Sequence, residues 1–446
     1  MKVIVLGAGI IGVSTAWHLL NEGHEVTVVD RQPDAALETS FANGAQISVS
    51  FCEPWANAGA PFKVAKWLLR DDSPLLFRPK LDPHQWRWGL SFLTQCNDAA
   101  FERNVRQLVA LGRYSHESLK GVVAATGIQY ERLERGILHF FSSQADFEAG
   151  AAGAELMRKY GVDRRVMDRA AVLKVEPALA AFGANIHGGT FTPSDESGDA
   201  QVFTQKLAAL CRARGATFLH ETAIERIDML GGQISGVRVR SLADGEGGAK
   251  APVRTLVADQ YVAAMGSYTA PMLRQLGIWL NIYPAKGYSA TLKLKRPQDA
   301  SVVSLLDDTR KIAISRLGDH IRIAGTAELA GYDTSLDGAT AQKRCAALVR
   351  RYEELFPGVA DTSLPNYWTG LRPSTPTNIP YIGRSRLPNL WLNAGHGTLG
   401  WTHGAGSGQA LAELISGKRP ALSFGFCGEA LPAAKPFVPA KRPSAA

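Results

Sequence analysis

The first 30 residues alternate apolar runs with a glycine-rich turn, in the order typical of a βαβ unit. Residues 3–6 are continuously apolar, as expected for a parallel strand that is buried on both faces. Apolar residues then recur at helical spacing from Ile11 to Gly23, and a second apolar run over 26–29 ends at Asp30. The pattern predicts an α/β fold that begins with a Rossmann-like domain.

The pattern changes twice farther along the chain. Between about residues 51 and 185 prolines separate short helical pieces, and from about 186 the α/β pattern resumes. Short strand patterns between 283 and 323 predict an antiparallel sheet, followed by a helix over 340–356. We therefore predict a discontinuous Rossmann-like domain over 1–50, 186–280 and 366–425, an α+β second domain over 51–185 and 281–365, and a disordered tail over 426–446.

Composition narrows the class of protein. Of 446 residues, 46% are hydrophobic and 20% charged, which are ordinary values for a folded globular protein. The net charge of +8 favours anionic partners, but the basic residues are scattered without a nucleic-acid-binding motif, so no nucleic acid is expected as a partner. Five widely spaced cysteines without a Cys-x-x-Cys pair argue against a disulfide framework and a metal site. The N-terminal apolar run is interrupted by glycines and predicts neither a signal peptide nor a spanning helix, which favours a cytoplasmic protein.

A glycine motif lies directly between the first predicted strand and helix. In Gly7-x-Gly9-x-x-Gly12 the first glycine permits a tight turn, the second lets the backbone approach a pyrophosphate, and the third allows close helix packing. Asp30 follows Gly12 by 18 residues, at the end of the second strand, where it suits an adenosine ribose and disfavours a 2′-phosphate. The motif predicts a dinucleotide site, and the alternative is a turn that binds nothing.

Two further segments carry candidate chemistry. Residues 395–401, Gly-His-Gly-Thr-Leu-Gly-Trp, follow a predicted strand and precede a predicted helix, whose N-terminus suits the electron-rich edge of an isoalloxazine. Arg372 lies in a short predicted strand before Pro373, and its guanidinium suits bidentate capture of a carboxylate. For an isolated arginine, a surface position is the alternative.

These segments together resemble the D-amino-acid oxidase and glycine oxidase superfamily of flavoproteins, and within it the bacterial D-amino-acid dehydrogenases. The resemblance is carried by residues 1–31, 36–40, 43–48, 193–199, 283–289, 368–376 and 393–401. It implies that the first domain binds FAD noncovalently and that the second forms the substrate domain.

The resemblance also implies a reaction. A small neutral D-amino acid such as D-alanine would be oxidised at its Cα–N bond to an imino acid, which water converts to a 2-oxo acid and ammonia. The electrons would pass to a quinone or another respiratory acceptor. The alternatives are an oxidase that forms peroxide, a dehydrogenase of D-hydroxyproline or glycine-type amines, and a non-catalytic dinucleotide-binding protein.

The resemblance implies roles for individual residues. Arg372 would bind the substrate carboxylate, and His396 would border the flavin. Lys286 would hold a water near the flavin or solvate the edge of the site, and Tyr288 would contact the substrate or belong to the core. The implied cofactor residues are Val3, Gly7, Gly9, Ile10, Ile11, Gly12, Asp30, Arg31, Ser40, Asn43, Gly44, Ala45, Gln46, Ile47, Gly266, Gly395, Gly397, Thr398, Leu399 and Gly400.

The sequence departs from the resembling proteins at two places. They have Asn-Ala-Gly-Gln where this chain has Asn-Gly-Ala-Gln over 43–46, which predicts a different bend of the flavin loop. Many have an aromatic residue where this chain has Arg310, and an arginine in the pocket would favour acidic or larger substrates.

A tryptophan-rich segment over 51–98 resembles an interfacial helix. Its basic residues include Lys63, Lys66 and Arg70, and they alternate with apolar residues such as Trp67. The segment predicts either peripheral contact with the cytoplasmic face of the inner membrane or packing onto the protein's own body. The sequence leaves the oligomeric state open.

Overall fold

The computed structural model describes residues 1–62, 74–243 and 251–428. Its helices are α1 (Ile10–Asn21), α2 (Pro83–Thr94), α3 (Asp98–Thr126), α4 (Gln144–Lys159), α5 (Arg169–Val175), α6 (Ala200–Ala213), α7 (Thr269–Arg274), α8 (Ala339–Leu355) and α9 (Gly400–Ile415). Its strands are β1 (Lys2–Leu6), β2 (Glu25–Val29), β3 (Gln46–Ile47), β4 (Leu75–Phe77), β5 (Ile137–Phe141), β6 (Arg165–Met167), β7 (Gly188–Thr192), β8 (Glu196–Ser197), β9 (Thr217–Leu219), β10 (Thr222–Leu230), β11 (Gln233–Ser241), β12 (Arg254–Leu256), β13 (Gln260–Ala263), β14 (Tyr283–Lys293), β15 (Ser304–Asp307), β16 (Ile312–Leu317), β17 (His320–Leu329), β18 (Asn366–Ser374), β19 (Tyr381–Arg384) and β20 (Leu390–Ala394).

A six-stranded sheet in the order β19-β20-β13-β1-β2-β9 forms the first layer. All its pairs are parallel except β19 with β20. Helices α1, α6 and α9 pack on one face, where Val5 and Val28 meet Leu207 and Leu411. The small antiparallel sheet β10-β11-β12 covers the other face, where Leu6 meets Val237. This sheet confirms the predicted α/β class and the Rossmann-like arrangement.

A nine-stranded sheet forms the second layer, in the order β18-β14-β17-β16-β15-β5-β7-β6 with β4 beside β17. Its pairs are antiparallel except β15 with β5 and β17 with β4. Helix α8 packs on one face, where Leu348 and Tyr352 meet Ile314 and Ile323. The strands β14 to β17 form the antiparallel sheet that the sequence predicts for this part of the chain.

Local sequence explains where the helices begin. Asp199 accepts hydrogen bonds from the backbone N–H groups of Gln201 and Val202 at 2.8 and 3.0 Å, and so caps α6. Asn97 caps α3 in the same way, and α3 ends at Gly127, whose φ of 66° suits a left-handed helix end.

Strand pairing departs from the domain boundaries drawn from the sequence. Strands β7 and β18 both belong to the nine-stranded sheet, although they lie in segments assigned to the Rossmann-like domain. Helix α3 lies in a segment assigned to the second domain, yet its Leu111 and Leu119 pack with the helices of the six-stranded sheet. Sequence pattern does not reveal which sheet a strand joins, and the division into two domains stays a prediction.

Parts of two predictions lie outside the described residues. Lys63, Lys66, Trp67 and Arg70 belong to the undescribed part of the tryptophan-rich segment, and 429–446 of the predicted tail are likewise not described. Phe426, at the start of that predicted tail, is buried against the six-stranded sheet's helical layer. None of the described helices is both long enough and apolar enough to cross a bilayer.

Candidate active site

A cavity of about 1290 Å³ lies between the two sheets. On one side it meets the carboxyl ends of the parallel strands, at Gly7 after β1, Asp30 after β2 and Gly266 after β13. On the other side it meets one face of the nine-stranded sheet, including Arg372. Ligands of open α/β sheets bind at the carboxyl ends of the strands, so the cavity occupies the expected place.

One end of the cavity, called the nucleotide end after the prediction from the sequence, is built from the glycine motif. Gly7 has a φ of 110°, and a Cβ there would lie 2.5 Å from the carbonyl oxygen of Ala264. Helix α1 begins directly after Gly9, so its first N–H groups and positive dipole end face the cavity. The Asp30 carboxylate accepts hydrogen bonds from the N–H groups of Ala8 at 2.6 Å and Gln32 at 2.8 Å. Burial raises the pKa of Asp30 above its usual value.

Two more side chains shape this end. Ser40 Oγ accepts a hydrogen bond from Ile10 N–H at 3.1 Å. Arg31 pairs with Glu38, and its guanidinium lies 4.0 Å from the centre of the Tyr268 ring. Each residue in these contacts lines the cavity: Ile10, Arg31, Glu38, Ser40 and Tyr268.

The loop over 43–46 lies at the centre of the cavity and bends at Ala45. Ala45 is buried and has a φ of 59°, a left-handed conformation that favours glycine. The neighbouring Gly44 does not have a positive φ, and a Cβ there would lie 3.2 Å from Ala313 Cβ. The bend of this loop is therefore made at an alanine.

Hydrogen bonds hold this loop from several strands. Gly198 N–H and Ser315 Oγ–H donate to the carbonyl oxygens of Ala45 and Gly44, both at 2.8 Å. Gln46 Nε2 donates to Ser304 Oγ and to the Leu305 carbonyl, both at 2.9 Å. Residues of other strands therefore hold the backbone and the Gln46 side chain of this loop in place.

The second glycine segment connects β20 to α9. Gly395 and Gly397 have φ values of 91° and 55°, and the first turn of α9 follows at Gly400. His396 lines the cavity and is buried, and its Nε2 has no hydrogen-bond partner among the described residues. Burial lowers the pKa of His396 to about 3, so the ring is neutral at pH 7.

Arg372 lies in β18, on the side of the cavity that the nine-stranded sheet forms. Its Nη1–H donates to the Thr326 carbonyl at 2.7 Å, and the guanidinium lies over Gly287, where a Cβ would be 2.5 Å from Cζ. Burial lowers the pKa of Arg372 to about 10, so the group stays charged at pH 7. No carboxylate of the described residues forms an ion pair with it. A partly buried cation without an acidic partner among the described residues suits an anionic ligand group.

Lys286 and Tyr288 project to the opposite face of the same sheet. Lys286 Nζ donates to the Ser335 carbonyl at 2.6 Å, and the Tyr288 hydroxyl donates to Glu328 Oε2 at 2.6 Å. Although Tyr288 borders the cavity, its side chain packs in the core beneath α8. Alternate residues of a strand point to opposite faces. The two side chains do not lie beside Arg372, and their assignment as catalytic stays a prediction.

Four predicted cofactor residues do not line the cavity. Val3 and Ile47 are buried in the core, and Gly395 precedes the segment that does line it. A Cβ at Gly12 would lie 1.8 Å from the Gly7 carbonyl oxygen, so this glycine serves close packing. The other predicted cofactor residues line the cavity: Gly7, Gly9, Ile10, Ile11, Asp30, Arg31, Ser40, Asn43, Gly44, Ala45, Gln46, Gly266, Gly397, Thr398, Leu399 and Gly400.

Arg310 is exposed and does not line the cavity, whereas the next residue, Lys311, does. The hypothesis that Arg310 favours acidic or larger substrates requires this residue to line the pocket, and the structure does not place it there.

A series of contacting charged side chains, which the sequence did not predict, begins and ends at residues that line the cavity. Glu53 accepts from Arg164 Nη1 at 2.8 Å, and Arg164 Nη2 lies 3.2 Å from His139 Nδ1. His139 Nδ1 is 3.3 Å from Asp308 Oδ2, and Asp308 pairs with Lys311. Glu53 and Lys311 both line the cavity, and each is neutralised by its partner. No spacing in the sequence signals a set that spans positions 53 to 311.

The described residues contain no group of three or more His, Cys, Asp or Glu side chains placed to hold a metal ion.

Comparison with known proteins agrees with this geometry. A model of the FAD-dependent oxidoreductase family matches residues 2–414. The chain belongs to this family. FAD is therefore its cofactor. The residues of the cavity fit FAD, because the N-terminus of α1 and the Asp30 carboxylate suit its nucleotide. His396 also lines the cavity, and its buried Nε2 has no hydrogen-bond partner among the described residues.

Relatives within the family share nearly the whole chain. D-amino acid dehydrogenase from Dechloromonas aromatica is 50% identical over 426 residues, covering 96% of this chain and 99% of its own. The protein of the same name from Granulibacter bethesdensis is 44% identical over 420 residues, covering 94% and 97%.

Solved structures share the fold at low identity. L-proline dehydrogenase from P. horikoshii gives a TM-score of 0.71 at 17% identity and covers 94% of each chain. Glycine oxidase from Bacillus cereus gives 0.69 at 20% identity, covering 94% of this chain and 96% of that one.

Proposed function

We propose that this family member oxidises D-amino acids to imino acids, which water hydrolyses to 2-oxo acids and ammonia. The identity of 50% to a D-amino acid dehydrogenase along 96% of the chain supports the substrate class. FAD, when bound, supplies a two-electron acceptor for the hydride from the substrate Cα.

The observation that carries the proposal is the guanidinium of Arg372, which lines the cavity and has no acidic partner among the described residues. Because Nη1 already donates to Thr326, the group is held in one orientation, and its remaining N–H groups are available for the substrate carboxylate. Capture of the carboxylate would fix which face of Cα is presented to the flavin. Orientation is the main contribution that such a site makes to hydride transfer.

His396 is the second polar group at the reacting centre. Its ring is neutral at pH 7 and its Nε2 lacks a partner among the described residues, so it is suited to a hydrogen bond with flavin or substrate. A neutral ring so placed orients its partner and does not act as a proton store near neutral pH.

We further propose that a respiratory quinone accepts the electrons and that the cytoplasmic protein contacts the inner membrane peripherally. Trp86, Leu90 and Leu93 of α2 are 49%, 66% and 54% exposed, and all three line the cavity. Their spacing places them on one face of the helix, so an apolar surface borders the opening. The names of the relatives, which are dehydrogenases, support an acceptor other than oxygen.

The decisive experiment is an anaerobic absorbance titration of the holoenzyme with D- and L-alanine, D-phenylalanine, D-proline, D-hydroxyproline and glycine. Loss of the oxidised flavin band with D-amino acids only supports the proposal. No loss with any amine would refute it, and reduction by D-hydroxyproline or glycine alone would favour the alternative amine dehydrogenases.

A second measurement tests the acceptor. Reoxidation of the substrate-reduced enzyme is followed with air-saturated buffer and with a short-chain quinone in anionic lipid vesicles. Faster reoxidation by quinone, with sedimentation of the protein on the vesicles, is expected. Rapid peroxide formation would instead identify an oxidase.

A further inference from the structure

An apolar cluster lies beside Arg372 on the same face of the nine-stranded sheet. Ala285 of β14 is directly opposite Arg372 of β18, and opposite residues of an antiparallel pair project to one face. Ala285 is buried in a cluster with Leu329 and Trp88. The guanidinium and this cluster therefore share one side of the sheet.

Strand β4 extends the cluster next to the contact that holds Arg372. Leu75 of β4 is paired with Ala327, one residue beyond Thr326, whose carbonyl accepts from Arg372. Phe77 of the same strand is paired with Leu329. The side chains that line the cavity here are Trp55, Leu75, Phe77, Trp88 and Leu329.

Among the described residues at this end of the cavity, Arg372 is the charged side chain without an oppositely charged partner. Glu53 and Lys311 line the same cavity, but Arg164 and Asp308 neutralise them. A charged substrate side chain would lose hydration here without gaining a partner among the described residues, whereas an apolar one would gain contact.

We propose that Trp55, Leu75, Phe77, Trp88 and Leu329 form a subsite for the substrate side chain, which selects D-amino acids with large apolar or aromatic side chains. The inference rests on the proposed function, since it assumes that Arg372 binds the α-carboxylate. It differs from the prediction of a small neutral substrate such as D-alanine, and the measurement below decides between the two.

The test is the rate of anaerobic flavin reduction as a function of substrate concentration. D-Phenylalanine and D-leucine are expected to exceed D-alanine in kcat/KM by about tenfold or more, because each buried methylene gives several-fold. D-Glutamate and D-lysine are expected to fall below D-alanine.

Variants locate the subsite. Trp55→Ala is expected to lower the D-phenylalanine to D-alanine ratio of kcat/KM by about tenfold, and Leu75→Ala to lower it by a few-fold. The matched control is Trp279→Ala, because Trp279 is 57% exposed and does not line the cavity, and it is expected to leave the ratio unchanged.

Binding of non-reacting acids to the oxidised holoenzyme gives a readout that needs neither turnover nor a variant. 3-Phenylpropanoate is expected to shift the flavin spectrum at a Kd at least about tenfold lower than propanoate. Equal Kd values together with equal kcat/KM for D-phenylalanine and D-alanine would overturn the subsite and leave the proposed function standing. Failure of every D-amino acid to reduce the flavin would instead overturn the proposed function.

Discussion

The end of the cavity that is proposed to bind the nucleotide is made mainly of backbone, and the end that is proposed to bind the substrate is made mainly of side chains. At the first end Gly7, Gly9 and the start of α1 present N–H groups, with Asp30 held by two backbone N–H donors. At the second end Arg372 and an apolar cluster reach the cavity from strands of the other sheet. Both ends open into one cavity.

This contrast sets what each end tolerates. A backbone cradle requires the absence of side chains, so a single added methyl group disrupts it. A wall of side chains tolerates changes of size and responds with altered selectivity. Mutations at the two ends should therefore separate cofactor loading from substrate turnover.

The largest effect is expected at Gly12, where an added Cβ would lie 1.8 Å from the Gly7 carbonyl oxygen. Gly12→Ala has to displace α1 from β1, and the purified protein should lose its flavin, measured as the absorbance ratio of flavin to protein. The matched control is Gly121→Ala in α3, where no atom lies within 4 Å of the added Cβ. Full flavin content in Gly12→Ala would contradict the packing role.

The next largest effect is expected at Arg372. Arg372→Ala should keep its flavin and lose about 10²–10³-fold in kcat/KM, mainly through KM, because a buried charged contact is worth about 2–5 kcal/mol. Arg372→Lys should recover part of the loss, since an ammonium keeps the charge without the fork. Unchanged kinetics in Arg372→Ala would remove this residue from the site.

The same contrast explains what the sequence predicts well. The nucleotide end depends on the order of glycines, strand, helix and acid within residues 3–30. Because these features lie close together in the sequence, the sequence pattern predicts them. The substrate end depends on strand faces and register. Lys286 and Tyr288 lie one strand from Arg372 yet point the other way, and Lys311 lines the cavity where Arg310 does not.

Long-range contacts set the remaining limit. The series of charged side chains from Glu53 to Lys311 joins residues from four separate segments, and no sequence spacing records it. The left-handed conformation of Ala45 is equally hidden, since glycine is the residue next to it.

Acid pH should weaken the fold, because four histidines are buried with lowered pKa values. Burial lowers the pKa of His18 and His139 to about 4, and of His396 and His403 to about 3. The unfolded chain takes up these protons below its pKa of about 6.5, so stability is complete above that pH and falls as the pH drops toward 4. At pH 5 each buried histidine is expected to cost about 2 kcal/mol.

Thermal unfolding of the holoenzyme between pH 5 and 8 measures this dependence. The variant His403→Gln should take up about one proton fewer on unfolding at acid pH, because it lacks the imidazole that titrates in the unfolded chain. Its stability should therefore fall less steeply with decreasing pH. A melting temperature that does not change between pH 5 and 7 would contradict the burial of neutral rings.

The smallest effect is expected at the loop that joins the two ends. Ala45 has a φ of 59°, where an L-residue costs about 1–2 kcal/mol, so Ala45→Gly should raise the free energy of unfolding by up to about 1 kcal/mol after the added freedom of the unfolded chain is deducted. Ala42→Gly makes the same change at a buried residue without a positive φ, directly before the loop, and it should lower that energy by about 1 kcal/mol. Urea unfolding of the two variants gives the comparison. Equal destabilisation by both variants would show that the bend at Ala45 stores no strain. The hydrogen bonds to the carbonyl oxygens of Gly44 and Ala45 would then be sufficient to explain the conformation of the loop.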